Sequence, residues 1–199
     1  VNLPNKLTVG RFVLTGFFLG AMFWQSSPFN DTVALVLFIL ASLTDYFDGE
    51  IARKRNLITS FGKLMDPLAD KILTCSAFIA LVERGQLPGW EGVKVHAWMV
   101  VIIVARELAI TGLRLIAASK NVVLAAERYG KHKTISQIAA IIALLIMEAR
   151  IEWGAWTKTW LDPWVPTFGL IALYATVVLT LVSGGIYLWK NREVYLNDM

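Results

Sequence analysis

The sequence predicts an all-α integral membrane protein with six transmembrane helices, on three observations. Of its 199 residues, 56% are hydrophobic and only 17% charged, whereas an average soluble domain is about 25% charged. The mean hydropathy is +0.58. Six apolar stretches recur at roughly 9–24, 32–47, 64–82, 97–118, 134–149 and 167–189, separated by polar or turn-type sequence. This composition excludes disordered, collagenous and disulfide-scaffold chains. The single cysteine, Cys75, sits inside an apolar run and reads as packing. With no internal repeat and no low-complexity tract, residues 1–199 read as one membrane domain. No removable signal peptide is expected.

The punctuation between stretches is chemically specific. Ser26-Ser27-Pro28-Phe29-Asn30-Asp31 parts the first from the second, Gly85-Gln86-Leu87-Pro88-Gly89 closes the third, and Asp162-Pro163 with Pro166 precedes the sixth. Placing both termini on one side collects Lys6, Arg11, Arg53, Lys54, Arg55, Lys63, Lys71, Arg114, Lys120, Arg128, Lys131, Lys133, Lys190 and Arg192 there. The other side keeps only Arg84, Lys94, Arg150 and Lys158. The positive-inside rule then puts both termini and the two basic loops in the cytoplasm. The eight tryptophans fall near the ends of stretches, as an aromatic belt at headgroup level requires. A net charge of +4 fits this orientation and anionic phosphate substrates, and no nucleic-acid partner is expected.

Two stretches are short, and acids make them so. Thr32–Thr44 offers 13 uncharged residues before Asp45, and Ile72–Val82 offers 11 after Asp66 and Asp70. At about 1.5 Å per residue, each falls well short of the roughly 30 Å hydrocarbon core. Either the helices stop early or four aspartates lie below the membrane surface, where acids need a polar cavity and compensation. Asp45 and Asp48 are i, i+3, and Asp66 and Asp70 are i, i+4, so each pair shares one face of its helix. Four converging carboxylates ask for divalent cations, and all-oxygen ligands favour hard ions such as Mg²⁺, Mn²⁺ or Ca²⁺. Two such ions would balance the charge, as in two-metal phosphoryl transfer. The plainer alternative is that Asp66 caps a helix while Asp45 and Asp48 pair at the surface with Arg53 and Lys54, which leaves the short stretches unexplained.

These residues read Asp45-x2-Asp48-Gly49-x2-Ala52-Arg53-x8-Gly62-x3-Asp66-x3-Asp70. The pattern resembles the signature of the CDP-alcohol phosphatidyltransferases. The resemblance implies a six-helix membrane fold, usually homodimeric, with a polar metal-lined cavity open to the cytoplasm. It implies transfer of a phosphatidyl group from a CDP-linked donor to an alcohol, with release of CMP. It also implies Asp45, Asp48, Asp66 and Asp70 as ligands of Mg²⁺ or Mn²⁺, Asp70 additionally as the base, and Gly49, Ala52, Arg53 and Gly62 as the CDP pocket.

Other segments bear on the acceptor. Asn2-Leu3-Pro4-Asn5-Lys6-Leu7-Thr8 with Arg11, Arg106-Glu107-x3-Thr111-Gly112-Leu113-Arg114, and Gly130-Lys131-His132-Lys133-Thr134-x2-Gln137 are similar to the family's glycerol-phosphate branch. That similarity implies CDP-diacylglycerol as donor and glycerol 3-phosphate as acceptor. Independently, Arg106 falls near mid-bilayer, where it needs a partner or an anionic ligand. Arg106, Arg114, Lys131 and Lys133 are therefore the candidate acceptor-phosphate residues, since guanidinium forks suit phosphate oxygens. An internal Arg106–Glu107 packing network with ordinary positive-inside lysines is the alternative. Other alcohols, such as inositol phosphate or serine, stay open within the family. A divalent-cation transporter is the competing class, although such sites lie near the midplane of repeat-built folds.

Overall fold

The computed structural model describes residues 3–24, 28–55, 60–87, 94–120, 122, 124 and 128–196; the side chains of 3–7, 45–55, 60–64, 66, 67, 128–132 and 158 lie outside that description. The described residues are helical throughout, apart from one isolated antiparallel bridge between Gln86 and Lys94. Six long helices are α1 (Leu3–Phe23), α2 (Asn30–Arg55), α3 (Ser60–Arg84), α4 (Ala97–Ser119), α5 (Arg128–Ala149) and α7 (Val165–Lys190). Two short ones, α6 (Ala155–Leu161) and α8 (Glu193–Leu196), follow α5 and α7. The six apolar stretches each map to one long helix; the short helices were not anticipated, because neither carries a long apolar run.

The question of early termination is answered by the backbone. Neither α2 nor α3 stops at its acids: α2 runs on to Arg55, and α3 starts at Ser60, before Asp66. Gly85, at φ +80°, turns the chain after α3, and Gly154, at φ +88°, turns it into α6; both are conformations that side-chain-bearing residues resist. Pro166 stands in the first turn of α7, where its missing N–H costs nothing.

α1 packs along α2 and against α3, α5 lies between α2 and α7, and α4 bridges α3 and α7. Phe18, Phe38, Phe78, Leu81, Met99, Ile103, Ile141 and Leu144 fill the centre, with Phe18 and Phe38 at a centroid distance of 5.7 Å. Burial is inverted relative to a soluble bundle. Arg11, Glu107, Lys133, Gln137 and Glu148 are buried, while Phe17, Val101, Leu108, Ile171 and Val178 are all more than half exposed. Among the described residues α7 is the one helix long and apolar enough to cross a membrane, with a mean hydropathy of 2.1 in its most apolar window. The charges that carry the site lower the hydropathy of α2 to α5. Trp24, Trp98, Trp156, Trp160, Trp164 and Trp189 are exposed, as a belt requires, whereas Trp153 points inward and Trp90 lies outside the described residues.

Trp153 belongs to a polar clasp at the end of the bundle remote from the acids. Glu152 accepts from the Asp31 and Thr32 backbone N–H groups at 2.8 and 2.9 Å, and Trp153 Nε1 donates to Thr32 Oγ1 at 2.7 Å. Asp31 pairs with Arg84, and Arg150 with Asp162 at 2.7 Å. A carboxylate from the α5–α6 turn thus satisfies the orphan donors at the start of α2 and complements its dipole. Glu152→Ala should therefore lower stability by about 1–3 kcal/mol, read as a reduced Tm in detergent with turnover per folded molecule unchanged. A wild-type Tm would show that the clasp contributes nothing.

Candidate active site

The acids lie on two helices that are consecutive in the chain and in contact: α2 carries Asp45 and Asp48, and α3 carries Asp66 and Asp70. Asp48 stands about 10 Å of helix rise before the end of α2, and Asp66 about 9 Å after the start of α3. The side chains of Asp45, Asp48, Gly49, Ala52, Arg53, Gly62 and Asp66 lie outside the described residues, and among the described residues no three His, Cys, Asp or Glu side chains converge. Asp70 is described and half-buried; its backbone carbonyl accepts from Thr74 Oγ1 at 3.0 Å. The donor set is all-carboxylate, carried on two contacting helices, and so fits a hard divalent cation.

Beside Asp70 lies a cluster drawn from four helices. Lys133 of α5 is buried and ion-paired to Glu107 of α4. Arg106 Nη1 meets the same Glu107 Oε1 at 3.4 Å, and its Nη2 donates to Ser183 Oγ of α7 at 3.4 Å. Lys71 of α3 donates to Thr111 Oγ1 and reaches the Glu107 carbonyl at 3.5 Å. Asp70 is close enough to attract both Lys71 and Lys133. Among the described residues, Arg106 and Lys133 thus share the buried Glu107 carboxylate, and Lys71 reaches its backbone carbonyl. Such an excess of positive charge in an apolar bundle favours an anionic ligand.

The arrangement separates the four predicted phosphate-binding residues. Arg106 and Lys133 enter the cluster. Arg114 is exposed on α4, near enough to Lys71 for their charges to repel. The Lys131 side chain, like that of His132, lies outside the described residues. The Arg106–Glu107 network expected as the alternative is present, but Lys133 is no ordinary surface lysine, being 4% exposed. Lys71, Ser183 and Tyr187 were not anticipated. Lys71 follows the last acid of the motif directly, which was an available signal. The polar positions of α7 carried none, since they sit singly in an apolar run. Gln137, Thr176, Thr180 and Tyr187 each hold a buried polar atom with no hydrogen-bond partner among the described residues, which marks a polar interior rather than a sealed core.

A helical bundle with acid pairs on two contacting helices and a cluster of buried cations beside Asp70 is what a phosphatidyl-group transferase requires. The chain belongs to the CDP-alcohol phosphatidyltransferase family, whose sequence profile matches residues 1–182. A Bacillus subtilis (strain 168) protein named CDP-diacylglycerol--glycerol-3-phosphate 3-phosphatidyltransferase is 41% identical to it over 203 residues, covering 96% of each chain. Proteins with the same name from Rickettsia bellii (strain RML369-C) and Shigella flexneri serotype 5b (strain 8401) are 34% and 31% identical, each covering at least 97% of both chains.

Proposed function

We propose that this protein transfers the phosphatidyl group of CDP-diacylglycerol to glycerol 3-phosphate, giving phosphatidylglycerophosphate and CMP. The name shared by its relatives supports that reaction. The observation that carries the acceptor is the cluster of Lys71, Arg106 and Lys133 around Glu107, which suits an alcohol bearing its own phosphate and gives a neutral alcohol little to bind. In this reading the chain acts as one domain, a homodimer of six-span protomers with termini and cavity on the cytoplasmic side of a bacterial-type plasma membrane. The inverted burial of charged and apolar side chains supports the membrane setting.

Asp45, Asp48, Asp66 and Asp70 would hold Mg²⁺ or Mn²⁺, as a pair of ions. Bound there, such ions would supply positive charge to the donor diphosphate. Gly49, Ala52, Arg53 and Gly62 would receive the cytidine diphosphate. Arg106 and Lys133, with Lys71, and with Arg114 and Lys131 toward the cytoplasmic mouth, hold the acceptor phosphate and so aim its free primary hydroxyl. That hydroxyl oxygen bonds to the β-phosphorus as the bond to the CMP oxygen breaks, and Asp70 takes the hydroxyl proton.

The deciding experiment offers purified protein CDP-diacylglycerol with Mg²⁺ or Mn²⁺ and a panel of glycerol 3-phosphate, glycerol, inositol, inositol phosphate and serine, following CMP release. Glycerol 3-phosphate should be used with kcat/KM at least about 100-fold above any unphosphorylated alcohol, the discrimination expected when buried charged groups would otherwise be unpaired. Preference for free glycerol or serine would refute the acceptor assignment.

A further inference from the structure

Arg106 owes its position to the last helix. A Cβ built on Gly184 would lie 2.8 Å from Arg106 Cγ and 3.6 Å from its Nε. The Cγ is only two bonds from the backbone, so it cannot yield by a small motion of the side-chain tip. The whole side chain would have to change rotamer, carrying the guanidinium away from Glu107 and Ser183. Nothing else demands glycine here. Gly184 lies within α7, and the described glycines with positive φ are Gly85 and Gly154. A glycine inside a helix is less favourable than alanine, so its presence needs a packing reason, and the arginine supplies one. The neighbouring Gly185 is exposed, with nothing within 4 Å of its added Cβ. Arg106 Nε has no hydrogen-bond partner among the described residues, while Nη2 and Nη1 are held by Ser183 and Glu107. The guanidinium is thus tethered through Nη1 and Nη2, while its Nε is buried beside Gly184.

We infer that Gly184 and Ser183 are positioning residues that set the guanidinium of Arg106 against the acceptor's phosphate, so that α7 governs acceptor affinity without touching a reacting atom. The inference rests on reading the Arg106 cluster as the acceptor-phosphate site. It is tested by steady-state kinetics on Gly184→Ala, Gly185→Ala, Ser183→Ala, Arg106→Ala and the double variant Gly184→Ala/Arg106→Ala, with thermal unfolding of each. Gly184→Ala should raise KM for glycerol 3-phosphate on the order of tenfold or more, since small misplacements of a positioning group have large effects. Its KM for CDP-diacylglycerol should stay within about twofold, and its Tm should fall modestly through overpacking and the loss of the guanidinium's contacts. Ser183→Ala should raise the acceptor KM by less, and Gly185→Ala should leave every constant alone. In the double variant the acceptor KM should be no worse than in Arg106→Ala, because Gly184 acts only through the arginine.

An unchanged acceptor KM in Gly184→Ala, or full additivity in the double variant, overturns the inference. If Gly184→Ala does not fold, an unchanged acceptor KM in Ser183→Ala overturns it instead. Failure of the underlying reading looks different: Arg106→Ala itself would then leave the acceptor KM untouched. A raised KM in Arg106→Ala with wild-type behaviour in Gly184→Ala removes only the positioning role.

Discussion

Asp45→Asn, Asp48→Asn and Asp66→Asn are each expected to cut turnover by on the order of 10³-fold, about 4 kcal/mol of transition-state stabilisation, and to abolish or severely weaken Mn²⁺ binding. The exchange keeps the size of each side chain and removes only its charge. The expectation rests on where the backbone puts these residues. α2 and α3 continue as helices through both acid pairs, and the two helices are in contact. Carboxylates that converge in a low-dielectric setting would repel unless a cation lay among them. If the acids served only as helix caps or surface ion pairs, asparagine would be tolerated at each position, with changes in stability and not in metal affinity. Mn²⁺ binding by calorimetry and CMP release with Mg²⁺ or Mn²⁺, measured on the same preparations, separate the two. Full turnover by the wild-type protein in excess chelator would end the metal reading.

The acid pairs were legible in the sequence because their information is local. Charges recur at helical spacing inside stretches too short to span, and every residue that makes the pattern lies between 45 and 70. The six long helices were legible for the same reason, since apolar runs and turn residues announce themselves without reference to the rest of the chain. The pocket beside the acids was only half legible. Arg106 stood out as a charge in an apolar segment, but its partner Ser183 lies 77 residues away, and the Glu107 beside it is paired with Lys133, 26 residues farther on. Arg114 read as part of the same charged face; it is exposed on α4 and near enough to Lys71 for their charges to repel. Glu152 gave no sign that it would satisfy the start of α2, across 121 positions. What composition and period cannot carry is which helix lies against which, and that decides whether a serine or glycine in an apolar run is filler or a seat for an arginine.

Asp70→Asn should remove turnover while the protein still binds CDP-diacylglycerol. A primary hydroxyl is a weak nucleophile at neutral pH, so a group within hydrogen-bond reach must take its proton as the bond to phosphorus forms. Asp70, whose side chain is the one described of the four, is near enough to the cationic cluster to attract Lys71 and Lys133. It lies one turn farther along α3 than Asp66 and is half-buried. An acceptor whose phosphate rests on Arg106 and Lys133 would therefore carry its hydroxyl toward Asp70, between the phosphate site and the remaining acids. Asparagine there keeps the shape of the pocket and cannot accept the proton. Loss should then fall on kcat, by about 10³-fold or more, with donor affinity close to that of the wild type because Gly49, Arg53 and Gly62 are unaltered. Equilibrium binding of CDP-diacylglycerol and single-turnover CMP release should be measured on one preparation of the variant. Retained turnover excludes Asp70 as the base. Joint loss of donor binding and turnover would instead make it a metal ligand alone, and the proton would have to pass to another of the acids.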